Sequence, residues 1–350
     1  MRRDRKVETQ KLEKEHVGRI AMKFRSKVSV IIVNYNGKTV LDDCINSVLR
    51  SDYPSLEIIV VDNASTDGSQ EIIRELFPQV RLIANRKNLG YAPACNLGCR
   101  LATGQYLLFL NNDASLDTHC IEELVRLAQT DDKIAVIQPK IYIGSTQILQ
   151  TAGSFLFYPI SKTYFRGYME RDFGQYGRVI HTSYACGAAL FARRKIIDEI
   201  GMFDGDYLFY FEDSDFSWRA RLAGYSVAYC PTAKVWHLYR YSMKKASKDL
   251  PSMLYYSQRN RLVTNLKNYG SRALLAWILI EPLSFLGMAL IGANYAKTYL
   301  MAICYLIRNL SSVLKKRRLV QALRKSADSQ ILETHLPLTV SLLKKSLAIL

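Results

Sequence analysis

Residues 106–113 read YLLFLNND, a continuous apolar run that ends in two asparagines and an aspartate. A run of this length with polar flanks predicts a strand that is buried on both faces of a parallel sheet. In open α/β sheets, ligands bind just beyond the carboxyl ends of the strands, where Asp113 is expected. A single carboxylate there is more often a helix cap or a turn residue. Asp113 therefore needs support from other strand ends before it indicates a site.

The same pattern occurs in two earlier segments of the chain. Residues 28–36 read VSVIIVNYN and residues 56–69 read LEIIVVDNASTDGS, and each apolar run stops in Asn or Asp. Helix-like segments follow at residues 39–50 and 69–77. Strands that alternate with helices of this length predict parallel pairing and a doubly wound α/β sheet. Three polar strand ends in one such series predict a ligand crevice.

The net charge of +17 is concentrated at the two ends of the chain. Residues 1–27 contain ten Lys or Arg against four acids, residues 240–350 contain eighteen against four, and residues 28–239 contain twenty against twenty-three. No recognisable nucleic-acid-binding motif accompanies this charge, so nucleic acid is not an expected partner. An anionic membrane surface fits better, because the basic C-terminal region also contains long apolar runs.

These changes in composition predict three regions, which are a basic arm over 1–27, an α/β domain over 28–249 and a helical region over 250–350. Residues 273–307 are largely apolar apart from Glu281, Pro282 and Lys297. The run 273–296 is long enough for the ~20 apolar residues that a spanning helix needs, although Glu281 and Pro282 lie well inside it. An interfacial hairpin, true spanning helices and a soluble cap or oligomer interface all remain open. The basic clusters favour membrane contact; they lie at 315–318, at 324–325 and in the terminal SLLKKSLAIL.

The seven cysteines are odd in number and lack paired CxxC spacing. They are typical of small buried side chains in a reducing compartment. The basic N-terminus lacks the apolar segment of a secretory signal. We therefore expect a cytoplasmic protein that contacts a membrane from that side.

Five motifs occur in a defined order, namely NYN at 34–36, VVDNASTDGS at 60–69, NLGYAPACNLG at 88–98, FLNND at 109–113 and FEDSDFSWRARLAGY at 211–225. Together they resemble the inverting nucleotide-sugar glycosyltransferases of family 2, and especially the rhamnosyltransferase-like enzymes of cell-surface polysaccharide assembly. The resemblance covers about residues 28–268 and implies a GT-A fold. In that fold a Rossmann-like nucleotide-binding half and an acceptor-binding half share a mainly parallel central sheet. The Tyr- and Phe-rich stretch 140–190 would then contact the acceptor, or form a β-rich core with surface aromatics.

The resemblance implies donor contacts from eight residues, which are Asn34, Tyr35, Asn36, Asp62, Asn88, Gly90, Tyr91 and Asn112. Residues 34–36 and Asp62 would contact the base and ribose, with the Asp62 carboxylate accepting from a uracil- or thymine-type imide. Residues 88–91 open a helix whose free N–H groups suit phosphate, although an ordinary turn and cap at Asn88 and Gly90 is the alternative. The sequence contains neither a P-loop nor a GxGxxG motif after a strand.

A divalent metal site is also implied. Asp113 holds the last position of the family's Asp-x-Asp motif, whose first position here is Asn111. His237, in AKVWHLY, resembles the histidine that completes the metal site in several relatives, although a histidine after a strand is often structural. Mg²⁺ needs few protein ligands when phosphates supply the rest, and a nitrogen ligand also makes Mn²⁺ plausible.

The family pattern places the general base at Asp213, within FEDSD. This carboxylate would remove the acceptor proton as the oxygen attacks the anomeric carbon, and nearby Glu212 and Asp215 would raise its pKa towards neutrality. The alternative is that the three acids cap a helix, along which Asp215 and Arg219 can pair at i and i+4.

The segment 255–261, YYSQRNR, also recurs in this branch of the family. Arg259 or Arg261 would reach the diphosphate or an anionic lipid-linked acceptor, or both would lie on a solvated basic helix face.

We therefore expect a membrane-associated inverting glycosyltransferase that moves a sugar from a UDP- or dTDP-sugar to a lipid-linked or polysaccharide acceptor. A polyprenyl-phosphate sugar synthase is the nearer alternative, and the acceptor separates the two. Nucleotidyl transfer would release pyrophosphate, but a Gly-rich pyrophosphorylase loop is missing near the first strand. A membrane-docked scaffold that has lost the chemistry is the non-enzyme alternative. The sugar and the oligomeric state stay open, and a homo-oligomer is possible.

Overall fold

The computed structural model describes residues 26–239 and 250–332, together with the backbone of residues 336–337. Most of the basic arm and the terminal SLLKKSLAIL therefore lie outside the described residues.

The predicted alternation of strands and helices is present, with ends that differ by only a few residues from the sequence expectation. The elements of the first half are β1 Val28–Asn34, α1 Lys38–Leu49, β2 Leu56–Asp62, α2 Ser69–Leu76, β3 Arg81–Ala84, α3 Tyr91–Leu101, β4 Tyr106–Asn111, β5 Ala114–Leu116, α4 Cys120–Ala128 and β6 Ile134–Ile143.

The second half begins with short strands and ends in helices. Its elements are β7 Leu149–Thr151, β8 Ser154–Tyr158, β9 Lys162–Phe165, β10 Ile180–His181, β11 Ala189–Arg193, α5 Arg194–Ile200, α6 Glu212–Leu222, β12 Ser226–His237, α7 Leu250–Asn268, α8 Ser271–Ile291, α9 Ala293–Arg308, α10 Leu310–Ala322, α11 Asp328–Leu332 and β13 Leu336–Pro337.

The central sheet is mixed but mainly parallel, as the sequence predicts. Its strand order is β10-β12-β6-β11-β4-β1-β2-β3, with β5 beside β12 and β7 beside β6. Strands β4, β1, β2 and β3 are parallel, β6 and β12 are parallel, and β11 runs antiparallel between β4 and β6. A second, small sheet contains β13, β8 and β9.

Strand β1 lies between two apolar layers. Ile31 and Val33 pack into a layer with α3, α6 and α7, whereas Val30 and Ile32 pack into a layer with α1 and α4. Successive side chains of a strand point to opposite faces, so an entirely apolar strand needs cover on both. Helices supply that cover on each face, and the polar strand ends are left at the edge of the sheet.

Helix α7 joins the C-terminal helices to the sheet domain through buried polar side chains, among them Arg259, Asn260, Arg261, Thr264, Asn265, Lys267 and Asn268. Helix α8 is different. It exposes a row of leucines that are each more than half accessible to solvent, at Leu275, Leu279, Leu283, Leu286 and Leu290. Within the described residues, α8 is the helix whose length and composition would allow it to cross a membrane.

Candidate active site

The carboxyl ends of β1, β2 and β4 meet in one polar crevice. The parallel register places Asn34 beside Asp62 and Val33 beside Asn111. The fully buried Asn34 donates from Nδ2 to Asp62 Oδ1 at 2.9 Å, and it accepts at Oδ1 from Asn112 Nδ2 at 2.7 Å. The structure thus brings together the three strand ends that the sequence singled out.

Asp62 is the most heavily hydrogen-bonded of these residues. Its carboxylate accepts from Asn34 Nδ2, from Ser65 Oγ at 2.5 Å, from Ser65 N at 2.9 Å and from Gln70 Nε2 at 2.8 Å. A carboxylate has about four lone-pair directions, and all of them are occupied in this state. Contact with a nucleotide imide therefore requires one of these bonds to be exchanged.

Tyr35 and Asn36 form the loop that follows β1. Tyr35 is exposed, and Asn36 has a positive φ of 51°. The Asn36 amide N–H donates to Ser65 Oγ at 2.8 Å, and its Oδ1 accepts from Thr66 N at 2.8 Å. Asn36 therefore links the loops after β1 and β2, and Tyr35 remains open to solvent beside the crevice.

The start of α3 is a tight turn. Gly90 N donates to Asn88 Oδ1 at 2.9 Å, and Tyr91 N donates to the Leu208 carbonyl at 2.7 Å. Gly90 has a φ of +85°, and a Cβ there would lie 3.0 Å from the Leu208 oxygen, so a glycine is needed. Two N–H groups at this end are already engaged, which leaves fewer donors for phosphate than an open helix terminus offers.

Asp113 and His237 face each other across adjacent chain segments. His237 lies opposite Ala114 where β12 pairs with β5, and the Leu238 amide donates to the Asp113 carbonyl at 2.8 Å. This pairing brings His237 Nε2 to 3.1 Å from Asp113 Oδ1, and both side chains are only 4% exposed.

The surroundings of His237 fit a metal ligand. The imidazole Nδ1 lies 2.8 Å from Oε1 of the buried Gln150. An amide oxygen only accepts, so the Gln150 contact holds a ring proton at Nδ1, and Nε2 is the nitrogen that a cation beside Asp113 would contact. Asn111 Nδ2 also lies 3.3 Å from Nε2. A carboxylate oxygen and an imidazole nitrogen at this separation are ligands that a divalent cation binds.

Gln150 is a site residue that the sequence did not reveal. It belongs to the three-residue strand β7 and lies 87 positions before His237. A strand this short shows no periodicity, and no local motif marks the residue. Only the packing of β7 against β6 discloses the contact.

Asp213 lies in the first turn of α6. Its Oδ2 accepts from Gly187 N at 2.7 Å, and its Oδ1 accepts from Ser214 N at 2.6 Å. Burial raises the pKa of the Asp213 carboxyl, and these N–H donors oppose the rise. Ala188, the residue after Gly187, accepts from Asn111 N at 3.1 Å. Two consecutive residues therefore connect Asp213 with the end of β4.

The chain that leads into α6 is strained and held from α7. Tyr210 and Phe211 both have positive φ, 66° and 67°, which is costly for aromatic residues. Asn260 Nδ2 donates to the carbonyls of Phe209 and Tyr210 at 2.7 and 2.8 Å. These bonds fix the backbone that presents Asp213.

Of the three acids in FEDSD, Asp215 is the one whose carboxylate is held in buried ion pairs. It is fully buried, pairs with Arg219 Nε at 2.8 Å as the spacing predicts, and also pairs with Lys267 Nζ at 3.0 Å. Arg259 and Arg261 are buried as well, so the solvated basic face is wrong. Arg259 donates to the Asp206 carbonyl, and Arg261 pairs with Glu281.

Part of this chain is similar to proteins of a known family. Residues 29–201 match the family model "Glycosyl transferase family 2". An uncharacterized glycosyltransferase of Nostoc sp. is 37% identical over 115 residues, which cover 32% of this chain and 35% of that protein. The poly-β-1,6-N-acetyl-D-glucosamine synthase of Staphylococcus epidermidis is 26% identical over 223 residues, which cover 60% of this chain and 50% of the synthase. The chain therefore spans between a third and a half of the length of these relatives.

A solved structure supports the fold. The structure of GalNAc-T7 with UDP, GalNAc and Mn²⁺ superposes with a TM-score of 0.57 at 14% identity, covering 82% of this chain and 57% of that one. At this sequence identity the similarity supports only a common fold. The relatives and the family match indicate a transferase, whereas the rhamnosyltransferase-like branch stays a prediction. Residues 29–201 thus resemble a glycosyl transferase family 2 domain, and the structure has a GT-A fold.

Proposed function

We propose that the protein is an inverting glycosyltransferase that moves a sugar from a nucleoside-diphosphate sugar to an acceptor hydroxyl. The observation that carries the proposal is the buried Asp113–His237 pair, which the backbone of residues 187–188 connects to Asp213. A transfer of this type needs a neutralised leaving group and a base at one place. This cluster offers ligands for a cation that would neutralise the leaving group, and a carboxylate that would act as the base.

Asp113 and His237 are the residues that would hold Mg²⁺ or Mn²⁺, with Gln150 orienting the imidazole. A bound divalent cation would neutralise the charge that develops on the departing diphosphate. Asn34, Asp62 and Asn112 form the wall beside this pair, and we assign the nucleotide to them. UDP- or dTDP-sugars are the proposed donors, and GalNAc-T7, which shares the fold, was solved with UDP and Mn²⁺.

Asp213 is the proposed general base. In its ionised form the carboxylate accepts the proton of the acceptor hydroxyl while that oxygen displaces the nucleoside diphosphate from the anomeric carbon. Burial raises the pKa of Asp213, so the transfer rate should fall as the pH drops through this raised value. Saccharide or lipid-linked acceptors are proposed, in line with the polysaccharide synthase among the relatives. The exposed leucines of α8 support work at a membrane surface, and we assign it to the cytoplasmic face.

The test is a donor screen on the full-length protein. UDP-, dTDP- and GDP-sugars are added with Mg²⁺, Mn²⁺ or chelator, while thermal shift reports binding and released nucleoside diphosphate reports turnover. Asp213→Asn should keep donor binding and lose about 10²–10⁴-fold in rate. Asp113→Ala should abolish the metal dependence of donor binding. Asp198→Asn, at an exposed aspartate of α5, is the matched control.

Four outcomes would contradict the proposal. Full turnover in Asp213→Asn would contradict the assignment of Asp213 as the base. Unchanged metal dependence in Asp113→Ala would contradict the assignment of Asp113 as a metal ligand. Release of pyrophosphate instead of nucleoside diphosphate would indicate nucleotidyl transfer. A protein that responds to no donor, with or without metal, would fit the scaffold alternative.

A further inference from the structure

A groove of about 780 Å³ runs along α9 where this helix faces the beginning of α7. Its volume lies within the range of about 300–1,000 Å³ that is typical of small-molecule sites. Ala293, Ala296, Leu300 and Cys304 line it at intervals of three and four residues, so they form one stripe on α9. From Ala293 to Arg308 this side of the helix extends about 22 Å at 1.5 Å per residue. The shape suits an extended chain better than a compact ring.

The charges of the groove are all positive. Lys297 and Arg308 line it, and among the described residues no Asp or Glu does. The other lining side chains are mostly small, aliphatic or aromatic. A ligand that matches this surface has a long apolar body and an anionic group.

One end of the groove is linked by side-chain contacts to residues 209–211, the segment that leads into α6. Tyr305 lines the groove, and the Arg259 guanidinium lies 4.8 Å from the ring centroids of both Tyr305 and Tyr256. The Tyr256 ring contacts Phe209, whose carbonyl is held by Asn260. Asp213 follows Phe209 by four residues. A chain of ring and guanidinium contacts therefore connects the Arg308 end of the groove with the segment that presents Asp213.

The other end of the groove opens at Ala293, directly after the turn that joins α8 to α9. The exposed leucines lie on α8, and the last of them, Leu290, is three residues before Ala293. The apolar surface of α8 is therefore continuous in the chain with the apolar end of the groove. A hydrocarbon chain that leaves a bilayer beside α8 would meet the groove at this end.

We propose that the groove binds the hydrocarbon chain of a lipid phosphate that carries the acceptor, with the phosphate at Arg308. This assignment rests on the proposed function, because transfer at Asp213 is what a carried acceptor would need. It names the acceptor class as lipid-linked rather than free polysaccharide.

Cys304 provides a direct measurement of occupancy. The other six cysteines of the chain are buried, whereas Cys304 is exposed and lines the groove. The rate of its alkylation by N-ethylmaleimide is followed by intact mass on the full-length protein, with Cys304→Ser as the blank. Farnesyl phosphate should slow the alkylation at saturation. Farnesol should require about tenfold higher concentration, since it lacks the charged contact to Arg308, and inorganic phosphate should not protect.

Two variants sharpen the test. Leu300→Trp fills the groove and should abolish protection by farnesyl phosphate. Leu319→Trp, at an exposed leucine of α10 outside the groove, should retain it. Arg308→Gln should make farnesyl phosphate no better than farnesol.

Absence of protection in the wild type would overturn the inference, and so would equal protection of the two tryptophan variants. Equal potency of farnesol and farnesyl phosphate on the wild type would overturn the phosphate site. Donor turnover of the wild type is measured in parallel. Turnover without protection contradicts lipid binding in the groove and leaves the proposed function intact. Protection without turnover contradicts the proposed function and leaves lipid binding in the groove intact.

Discussion

Two adjacent carboxyl groups in the first turn of α6 have different surroundings. Asp213 accepts from the N–H groups of Gly187 and Ser214, whereas Glu212 Oε2 has no hydrogen-bond partner among the described residues. Burial raises the pKa of Glu212, and the neighbouring Asp213 charge raises it further. N–H donors stabilise a carboxylate, and an apolar environment favours the acid. We therefore expect Glu212 to keep its proton while Asp213 ionises, as a base requires.

Glu212→Gln tests this at the level of stability. A raised pKa means that the folded state holds its proton where the unfolded chain has already lost it, so stability falls as the pH rises from the unfolded value through the folded one. The wild type should therefore lose at least about 1 kcal/mol relative to Glu212→Gln between acidic and mildly alkaline pH. Urea unfolding at about pH 4 and about pH 8 measures this.

The control for this measurement is Glu75→Gln at an exposed position of α2. Its stability difference from the wild type should not change with pH in this way. Parallel pH profiles for the wild type and Glu212→Gln would show that Glu212 ionises normally.

At the scale of the element, α7 buries charged side chains beside its apolar residues Leu254, Leu262 and Val263. Lys267 pairs with Asp204 at 2.6 Å and with Asp215 at 3.0 Å; Lys267 and Asp215 are buried, and Asp204 is partly buried. Burial alone would raise the pKa of both aspartates, but Lys267, with Lys316 beside Asp204 and Arg219 beside Asp215, holds these pKa values below their usual range. The network fastens α6 and the loop before it to α7.

Removal of the central cation should be costly. Lys267→Met leaves the buried carboxylate of Asp215 and the partly buried carboxylate of Asp204 each short of a partner, and breaking a buried pair from one side typically costs about 3–5 kcal/mol. The wild-type contribution is present above the unfolded carboxyl pKa and is lost as the pH falls through the depressed folded values, so the difference between wild type and variant should shrink in acid. Urea midpoints at neutral and acidic pH measure both effects.

Lys325→Met serves as the matched control, because Lys325 pairs with Glu199 and is largely exposed. It should cost no more than about 1 kcal/mol. A comparable loss of unfolding free energy in the two variants would mean that the buried network contributes no more than an exposed ion pair.

At the scale of the whole molecule, α8 presents an aliphatic face that the described part of the protein leaves uncovered. Glu281, which interrupts this apolar run in the sequence, points the other way. It pairs with Arg261, with one N–O distance of 3.0 Å, and it accepts from Trp277 Nε1 at 2.5 Å. The charge is therefore neutralised against the protein, and the leucine face stays free of charge. Because α9 returns along α7 directly after α8, we expect α8 to lie in a membrane surface if it contacts a membrane.

Leu279→Glu should weaken binding to vesicles with anionic lipid by at least about tenfold, since one buried leucine contributes about 1.5–3 kcal/mol and a glutamate adds repulsion. Flotation of the full-length protein with such vesicles measures this. Leu76→Glu, at an equally exposed leucine of α2, should float like the wild type. If Leu279→Glu floats normally and instead dissociates an oligomer, α8 is an interface between copies.

The strand ends of the site could be read from the sequence. Asn34, Asp62 and Asp113 each end a run of apolar residues, and parallel strands in register bring their carboxyl ends to one edge. The crevice follows from a local pattern and a general rule of sheet geometry, and the residues of β1, β2 and β4 satisfy both. The α/β class and the mainly parallel sheet were predictable for the same reason.

The partners of these residues were not predictable. Gln150 reaches His237 across 87 positions, Arg261 meets Glu281 across 20, and the four bonds to Asp62 come from three separate residues. Such contacts depend on how elements pack, and no local periodicity encodes them. The identity of the side chains at the strand ends follows from the order of the residues, because burial of an apolar strand is a local property. The tertiary structure alone decided which of them are saturated, which are paired and which remain available for chemistry, because hydrogen bonding and burial are shared between distant parts of the chain.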